Sequence, residues 1–436
     1  MHNKPTVSAY TLGCKVNQFE TQAILEAFET AGFEIRSFED ACDFYIINTC
    51  TVTAESDRKS GQFIRQALKR SPDARVMVCG CFSQVSPERV TDIGNIAYIG
   101  GNKDKLAIVK AAVGLLEGKD DSRANLPEDI FSAACIEPLF ITKSERARAY
   151  VKVQDGCESA CAYCIIPKAR GKIRSANASD VIDQIRTLVG QGYHEIIITG
   201  IEISAYGKDL EGIHLIGLLE LIDARNFDCR FRLGSLDPSS MSHDFIRRYA
   251  ALRNFVPHFH LSLQSGSDEI LRRMRRRYNT SQLREKIEWI REEIADCQLT
   301  ADIITGFPGE SEHLHRETLN FLAEIRLLDA HIFPYSKREG TEAAAMPSQV
   351  PKAVAKARLA ELASQQEHIR SEILSGLVGS VQQVLVEEIH EGVMRGVCGG
   401  NVVATAEFEG CHPEIRRIVN CKITSSDAEK LIGFIK

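Results

Sequence analysis

The segment Asp155-Gly-Cys157-Glu-Ser-Ala-Cys161-Ala-Tyr-Cys164 decides the central fold, and it directly follows a strand predicted over residues 150–154. Three thiolates at the spacing C-x3-C-x2-C can each bind one iron of a cubane iron-sulfur cluster, which leaves the fourth iron without a protein ligand. A closed zinc site needs a fourth Cys or His nearby, and none is adjacent. The spacing therefore predicts an iron-sulfur site for chemistry at the end of a strand, held by Cys157, Cys161 and Cys164.

Further strands alternate with helices beyond this loop. Strands are predicted over residues 195–199, 230–233, 258–263, 300–304 and 330–333, with helical patterns such as 179–189 and 281–294 between them. Six strand and helix units predict a parallel barrel, complete or partial, with its site at the C-terminal ends of the strands. A single turn with glycine is often only structural. Because such turns recur at successive strand ends, we expect cofactor contacts from Gly200, Glu202, Ser235, Gln264 and Gly306.

A second set of cysteines lies in the first third of the chain. Strands predicted over residues 7–12, 44–47 and 75–78 alternate with helices over 17–31 and 58–68, the order of a doubly wound parallel sheet. Cys14, Cys50 and Cys81 each follow one of these strands, and such positions converge at the carboxyl edge of the sheet. The convergence favours a thiolate cluster over three separately buried cysteines. Cys81 is preferred to Cys79 as the third ligand, because Cys79 ends an apolar run.

The rest of the sequence predicts a boundary at residues 115–133, a long helix within 347–375, and a small antiparallel barrel after Gly376. The 436 residues are 44% hydrophobic and 26% charged, which indicates a globular protein, and the net charge of -6 leaves RNA contacts to local patches. Fourteen cysteines, with no apolar leader or spanning run, predict a cytoplasmic protein with metal-binding or catalytic cysteines and no membrane partner.

The central motif resembles that of the radical S-adenosylmethionine superfamily, with Tyr163 as the aromatic residue before the last cysteine. The segments Gly13-Cys14-Lys-Val-Asn17, Asn48-Thr-Cys50-Thr-Val and Gly80-Cys81-Phe-Ser-Gln84 further resemble the methylthiotransferase family. The resemblance implies an N-terminal methylthiotransferase domain (1–130), a partial TIM-like (β/α)6 radical domain (140–370) and an RNA-binding TRAM barrel (376–436). It also implies two 4Fe-4S clusters, on Cys14, Cys50 and Cys81 and on Cys157, Cys161 and Cys164, and an S-adenosylmethionine site that includes Tyr163.

The resemblance also implies a reaction, the addition of a methylthio group to C2 of an adenosine in tRNA. The C2–H bond resists base chemistry, so a radical from one S-adenosylmethionine would remove the hydrogen, another would supply the methyl group, and the second cluster would hold sulfur. Residues 13–17 resemble the branch that acts on N6-threonylcarbamoyladenosine at tRNA position 37. The alternatives are tRNA with N6-isopentenyladenosine, an aspartate of a ribosomal protein, and a non-enzymatic iron-sulfur RNA-binding protein.

Basic residues predict where RNA binds. Phosphate contacts are expected from Lys168, Arg170, Lys172, Arg174, Arg395 and Arg416. The arginine run at residues 272–277 is either a further RNA contact or a solvated helix face. The threonylcarbamoyl group ends in a carboxylate, for which Arg170 or Arg174 is the predicted cation. We expect the tRNA anticodon stem-loop to enter the barrel mouth beneath overhanging N- and C-terminal domains. An electron donor of flavodoxin or ferredoxin type and a monomeric state complete the predictions.

Overall fold

The first unit of the computed structural model is a parallel sheet with helices around it. The model describes residues 4–119, 126–408 and 412–435, so residues 120–125 of the predicted boundary lie outside the described residues. The strands are β1 (Thr6–Thr11), β2 (Glu34–Ile35), β3 (Phe44–Thr49), β4 (Arg75–Gly80) and β5 (Tyr98–Ile99). The helices are α1 (Lys15–Thr30), α2 (Ala54–Arg70), α3 (Cys81–Val85), α4 (Pro87–Thr91) and α5 (Ala107–Leu116). The sheet order β2-β1-β3-β4-β5, with every pair parallel, confirms the doubly wound prediction.

The central unit is an open barrel of six parallel strands. These are β6 (Ala149–Asp155), β8 (Glu195–Gly200), β9 (Arg230–Leu233), β10 (His258–Gln264), β11 (Gln298–Thr305) and β12 (Asp329–Pro334). A short strand β7 (Arg174–Ser175) pairs antiparallel with β6. The surrounding helices are α6 (Ile166–Arg170), α7 (Ala178–Gly190), α8 (Leu215–Asp223), α9 (His243–Ala250), α10 (Asp268–Arg273), α11 (Thr280–Glu293), α12 (Glu312–Ile325), α13 (Glu342–Ala345) and α14 (Lys352–Gly376).

The barrel is partial, as predicted, and one side of it is open. Strands β6-β8-β9 and strands β10-β11-β12 form two parallel sheets. The isolated bridges Phe231–Phe255 and Leu236–Leu261 connect these sheets where β9 adjoins β10. In the described part of the chain, no ladder joins β12 to β6. Helix α1 packs against β6, at one edge of this gap, and its Phe19 and Ala23 share one hydrophobic core with the barrel strands. We call the space inside the six strands the lumen.

The C-terminal unit is a closed five-stranded barrel. Its strands are β13 (Val381–His390), β14 (Val393–Cys398), β15 (Val403–Glu407), β16 (Ile418–Ser426) and β17 (Lys430–Ile435), in the order β13-β14-β15-β17-β16. The sequence patterns predicted four of them and missed β17. The prediction of a small antiparallel barrel is confirmed, with one exception: β15 pairs with β17 in parallel.

This C-terminal barrel covers the N-terminal ends of the central strands, so the predicted overhang at the mouth is wrong for this unit. Arg230, the first residue of β9, donates to the carbonyl oxygens of Gln383 (3.0 Å) and Val397 (2.8 Å). Arg232 donates to the carbonyl oxygens of Gly399 and Cys398. The lumen is therefore closed at its base. The described helices include none long and apolar enough to cross a membrane.

Candidate functional site

The three cysteines of the central motif lie in the loop after β6, at the C-terminal end of the barrel. The Cys157 sulfur accepts from the Ser159 N–H at 3.4 Å, and the Cys164 sulfur accepts from the Ile166 N–H at 3.4 Å. Hydrogen bonds from backbone amides to sulfur stabilise thiolates. Burial raises the pKa of Cys164 to about 12, so this thiol needs a cation beside it to ionise. Three sulfurs of this kind fit an iron-sulfur cluster, whose metal ions displace the thiol protons.

The local sequence explains how the loop turns back over the barrel. Gly156 has φ of +77°, and a Cβ there would lie 1.8 Å from the Lys172 carbonyl oxygen, so only glycine fits. The Cys157 N–H donates to the Gly171 carbonyl at 3.1 Å. The Ala162 N–H donates to the Met274 carbonyl at 3.1 Å. The cysteines are thus held on a loop that two other segments fix in place.

Arg276 brings a positive charge to this loop. Its Nη1 donates to the Cys161 sulfur at 3.2 Å, and its Nη2 donates to Asp237 at 2.7 Å. Of the other arginines in the 272–277 run, three pair with acids: Arg272 and Arg273 with Glu269, and Arg275 with Glu342. The run is therefore mostly a solvated, paired helix face, and one arginine belongs to the site.

The predicted cofactor residues surround the same end of the barrel. The Glu202 N–H donates to the Gln154 side chain at 2.8 Å, and the Glu202 carboxyl lies near Arg276 and Asp237. Burial first, and then the negative charge of Asp237, raises the pKa of Glu202 to about 7. A cationic group such as an amine, placed beside this carboxyl, would favour its ionised form.

The other residues predicted to contact the cofactor differ in whether they are available to bind a ligand. Tyr163 packs edge-on against Phe307, with ring centroids 6.4 Å apart. Gly200 ends β8, Ser235 is exposed after β9, and Gln264 ends β10 with φ of +67°. Gly306 donates its N–H to Glu310 at 2.8 Å, so only its carbonyl remains for a ligand.

The three N-terminal cysteines lie together at the carboxyl edge of the first sheet. A Cβ at Gly13 would lie 2.9 Å from the Cys50 sulfur, so the chain before Cys14 passes directly beside Cys50. The pKa of Cys50 is raised to about 12, by burial first and then by the charges of Cys81 and Cys14. The Cys81 sulfur accepts from Arg170 Nε at 3.3 Å and Asn102 Nδ2 at 3.5 Å. Such donors favour a thiolate, which is the form that binds metal.

Cys79 has different surroundings. It is buried in an apolar cluster with Ile24, Phe28 and Met77, on the other face of the sheet from Cys50 and Phe82. Its neighbour two residues along, Cys81, begins α3 beside Cys50. The structure thus brings together the three cysteines that the sequence indicated and leaves Cys79 apart from them.

Two of the predicted RNA-binding residues are buried, and this part of the prediction is wrong. Arg170 has no exposed surface and bonds to Glu20 (2.5 Å), Asp155 (3.2 Å) and Asn17 (2.6 Å). Arg174 is also buried, and its Nη1 donates to backbone carbonyls of residues 170 and 172. Because neither guanidinium faces solvent or the lumen opening, neither is available to phosphate or to the threonylcarbamoyl carboxylate.

The other predicted RNA-binding residues lie at the surface or between units. Lys168, Lys172 and Arg395 are exposed. Arg416 instead lies over the Tyr193 ring at 4.3 Å and donates to the Ser144 carbonyl at 3.3 Å, so it fastens the C-terminal barrel to the central unit. The sequence patterns missed a basic face on α2, formed by Arg58, Arg65 and Lys69 with Gln62 and Gln66 between them.

Charged residues inside the lumen are the main feature that the sequence did not indicate. His260, Asp302 and His331 stand on neighbouring strands, with Asp302 Oδ1 3.2 Å from His260 Nε2 and 3.4 Å from His331 Nδ1. Lys15, which directly follows Cys14, lies near Asp302 and Arg232. Desolvation first, then the charges of Arg232 and Arg148, lowers the pKa of Lys15 to about 8. The ligand atoms of the two histidines and Asp302 lie within 4.8 Å of one another, but the neighbouring cations oppose a metal ion there.

Two protein-family models match segments of the chain that contain the two cysteine sets. Residues 151–322 match the Radical SAM superfamily, and residues 6–100 match the uncharacterized protein family UPF0004. The chain is 36% identical over 427 residues to "Threonylcarbamoyladenosine tRNA methylthiotransferase MtaB" of Bacillus subtilis, covering 96% of this chain and 93% of that one. It is 32% identical to "tRNA-2-methylthio-N(6)-dimethylallyladenosine synthase" of Carboxydothermus hydrogenoformans, over 98% of each.

A solved structure shares the fold at low sequence identity. The radical S-adenosylmethionine methyltransferase TsrM from Kitasatospora setae superposes with a TM-score of 0.60 at 16% identity, over 87% of this chain and 81% of that one. Full-length similarity at more than 30% identity, together with the two cysteine sets, leads to a single assignment. The chain belongs to the radical S-adenosylmethionine methylthiotransferase family and is an enzyme of that kind, with S-adenosylmethionine and 4Fe-4S clusters as its cofactors.

Proposed function

We propose that this enzyme adds a methylthio group to C2 of N6-threonylcarbamoyladenosine, beside the anticodon of tRNA. The observation that carries the proposal is the lumen and the two cysteine sets around it. One set lies at its mouth, the other follows β1, β3 and β4 in the unit that packs against β6, and the lining of the lumen is charged. The name of the Bacillus subtilis relative supports the same substrate.

The six cysteines have distinct tasks in this proposal. Cys157, Cys161 and Cys164 would hold one 4Fe-4S cluster with an open iron, and Cys14, Cys50 and Cys81 would hold the second. When bound, these clusters supply the one-electron reduction of S-adenosylmethionine and a binding place for sulfur. The protein orients the cofactor and excludes water from the lumen.

The residues at the strand ends would orient S-adenosylmethionine. The Glu202 carboxylate is placed to accept from the cofactor's amino group, close to the Cys157 loop. Tyr163, Gly200, Ser235, Gln264 and Gly306 would form the rest of the rim. Arg276 fixes the Cys161 side of the loop and keeps Asp237 paired.

Exposed cations, rather than the buried arginines, would hold the RNA backbone. Lys168 and Lys172 flank the mouth beyond the Cys157 loop. The basic face of α2 runs about 16 Å along the helix from Arg58 to Lys69, at 1.5 Å per residue. Arg65 and Lys69 are exposed and have no ion pair among the described residues, so phosphates can neutralise them. Arg395 remains the predicted contact of the C-terminal barrel.

The charged lining of the lumen also favours one of the two candidate tRNA substrates over the other. An isopentenyl group requires apolar surroundings, whereas a threonylcarbamoyl group brings a carboxylate that needs a cation. Beside an isopentenyl group, the ammonium of Lys15 would be left without a partner, whereas Asp302 and the two histidines pair with one another in either case. The electron donor of flavodoxin or ferredoxin type and the monomeric state stay predictions.

The test is nucleoside mass spectrometry. Purified protein with both clusters, S-adenosylmethionine and a reductant should convert threonylcarbamoyladenosine tRNA to its 2-methylthio product. The variant with Cys157, Cys161 and Cys164 all changed to Ala should form neither product nor 5′-deoxyadenosine and should keep about half of the iron. Conversion of isopentenyladenosine tRNA or of a ribosomal protein instead would refute the substrate. Binding of RNA with no product from any of the three would favour a non-enzymatic role.

A further inference from the structure

We propose that Lys15 and His331 form a carboxylate-binding subsite in the lumen, which takes the terminal carboxylate of the threonylcarbamoyl group. The inference rests on the proposed function and deepens it by naming the residues that select the substrate. It replaces Arg170 and Arg174, whose burial removes them from this role.

Lys15 is the cation in the lumen that other groups leave free. It begins α1, directly after Cys14, and its charge acts on His258 and His331 of the strands β10 and β12 as well as on Asp302. Its ammonium has no hydrogen bond or ion pair with any of the described residues, although it is only partly exposed. An unpaired ammonium in such a place favours an anionic ligand.

The other cations of the lumen already have partners. Arg232 bonds to Glu195 and to two carbonyl oxygens of the C-terminal barrel. Arg148 pairs with Glu387 at 3.1 Å and approaches Glu195 at 3.6 Å. These arginines close the base of the lumen and have no free donor side for a ligand.

His331 offers the second donor. Its Nδ1 faces Asp302 at 3.4 Å, and its Nε2 has no contact among the described residues. The side chain is 52% exposed, so it faces open space in the lumen. The hydrogen bond to Asp302 raises the pKa of His331, which favours the protonated ring, the form that can donate from both nitrogens. His260, by contrast, uses both ring nitrogens, on Thr300 and Asp302.

The position of the subsite fits the reaction. Cys14 precedes Lys15, so a group held by Lys15 lies next to the cysteine set that would hold the sulfur. His331 stands two residues before Phe333, and alternate residues of a strand share one face. A base at the mouth, with its N6 substituent directed down the lumen, would reach both donors while its C2 edge stays between the two cysteine sets.

The experiment measures binding without turnover. Fluorescence anisotropy would give the affinity of the clustered enzyme for three anticodon stem-loops, which carry threonylcarbamoyladenosine, its methyl ester, or unmodified adenosine. The wild-type enzyme should prefer the acid to the ester by about 10- to 100-fold, the range of one charge-assisted contact. Lys15→Gln should remove most of this preference and leave the affinity for the ester unchanged. Lys15→Arg should retain part of it, and His331→Gln should reduce it by about 3- to 10-fold.

Controls separate this subsite from effects on the cluster. Lys356→Gln, an exposed lysine on α14, should keep the full preference for the acid. Iron content and the visible spectrum of each variant show whether the cysteine set beside Lys15 is intact. An intact Lys15→Gln enzyme that still prefers the acid overturns the proposal. If Lys15→Gln loses iron, an unchanged preference in His331→Gln overturns it instead. The proposed function itself fails if the wild-type enzyme binds the threonylcarbamoyladenosine stem-loop no better than the unmodified stem-loop and also forms no methylthio product from it.

Discussion

Arg170 provides the sharpest test of how the first and central units are joined. Its guanidinium bonds to Glu20 of α1, to Asp155 of β6 and to the Cys81 sulfur, with no exposed surface. Arg170→Met would leave two buried carboxylates with three remaining cations, namely two lysines and Arg174, which lies 3.8 Å from Asp155. Lys105 lies 3.2 Å from Glu20, and Lys152 lies 3.0 Å from Glu20 and 3.1 Å from Asp155.

The loss in free energy of unfolding depends on the cations that remain beside Glu20 and Asp155. Loss of one partner from a buried ion pair costs about 3–5 kcal/mol. Because these cations still balance the two carboxylates, we expect the lower end, about 3 kcal/mol. Burial alone raises carboxyl pKa values, but Arg170, Lys105 and Lys152 hold the pKa of Glu20 well below its usual range. The stabilisation is therefore complete at pH 7 and is lost only as the pH falls below the ordinary carboxyl pKa of about 4.

Differential scanning calorimetry of the anaerobic holoenzyme at pH 7 measures the effect. Arg170→Met should lower Tm by about 3 °C or more, with loss of iron from the N-terminal cysteine set. The matched control is Arg58→Met, which removes an exposed pair with Glu55 and should leave Tm nearly unchanged. A Tm change for Arg170→Met no larger than that of Arg58→Met would refute the proposed role of the buried network.

Three further predictions concern the site. Cys79→Ala should keep the iron of the N-terminal set, whereas Cys81→Ala should lose about half of the total iron; the opposite pattern would show that the wrong cysteine was chosen. The affinity for S-adenosylmethionine, measured by equilibrium dialysis, should rise as the pH increases through about 7, where Glu202 ionises, and Glu202→Gln should weaken binding and flatten this dependence. The double variant Arg65→Glu with Lys69→Glu should weaken tRNA binding and reduce the slope of log affinity against log salt by about 1 or more, and an unchanged slope would exclude the α2 face from RNA contact.

The strands and both cysteine sets were predictable because local patterns determine them. Alternating apolar runs indicate strands, and a cysteine after each of three parallel strands implies convergence at one edge of a sheet. Strand β17 was not predicted because Gly433 interrupts its alternation of apolar residues.

The arginines were mispredicted for a physical reason. A run of cations in the sequence does not show which side chains face the interior, and Arg170 sits on the short helix α6 only two residues from the exposed Lys168. Its partner Glu20 is 150 residues away. The cluster in the lumen was not predicted for a similar reason: His260, Asp302 and His331 come together only when three strands pair in register.

The sealed base of the central barrel has a kinetic consequence. Arg230 and Arg232 bind the C-terminal barrel across that end, so the described part of this barrel covers the rear of the lumen. If a tRNA loop covers the mouth, small molecules behind it are trapped until the RNA departs. Addition should then be ordered, with S-adenosylmethionine first and tRNA second, and 5′-deoxyadenosine should leave last. Excess tRNA should consequently inhibit multiple turnover by blocking nucleoside exchange, while a single turnover proceeds unhindered.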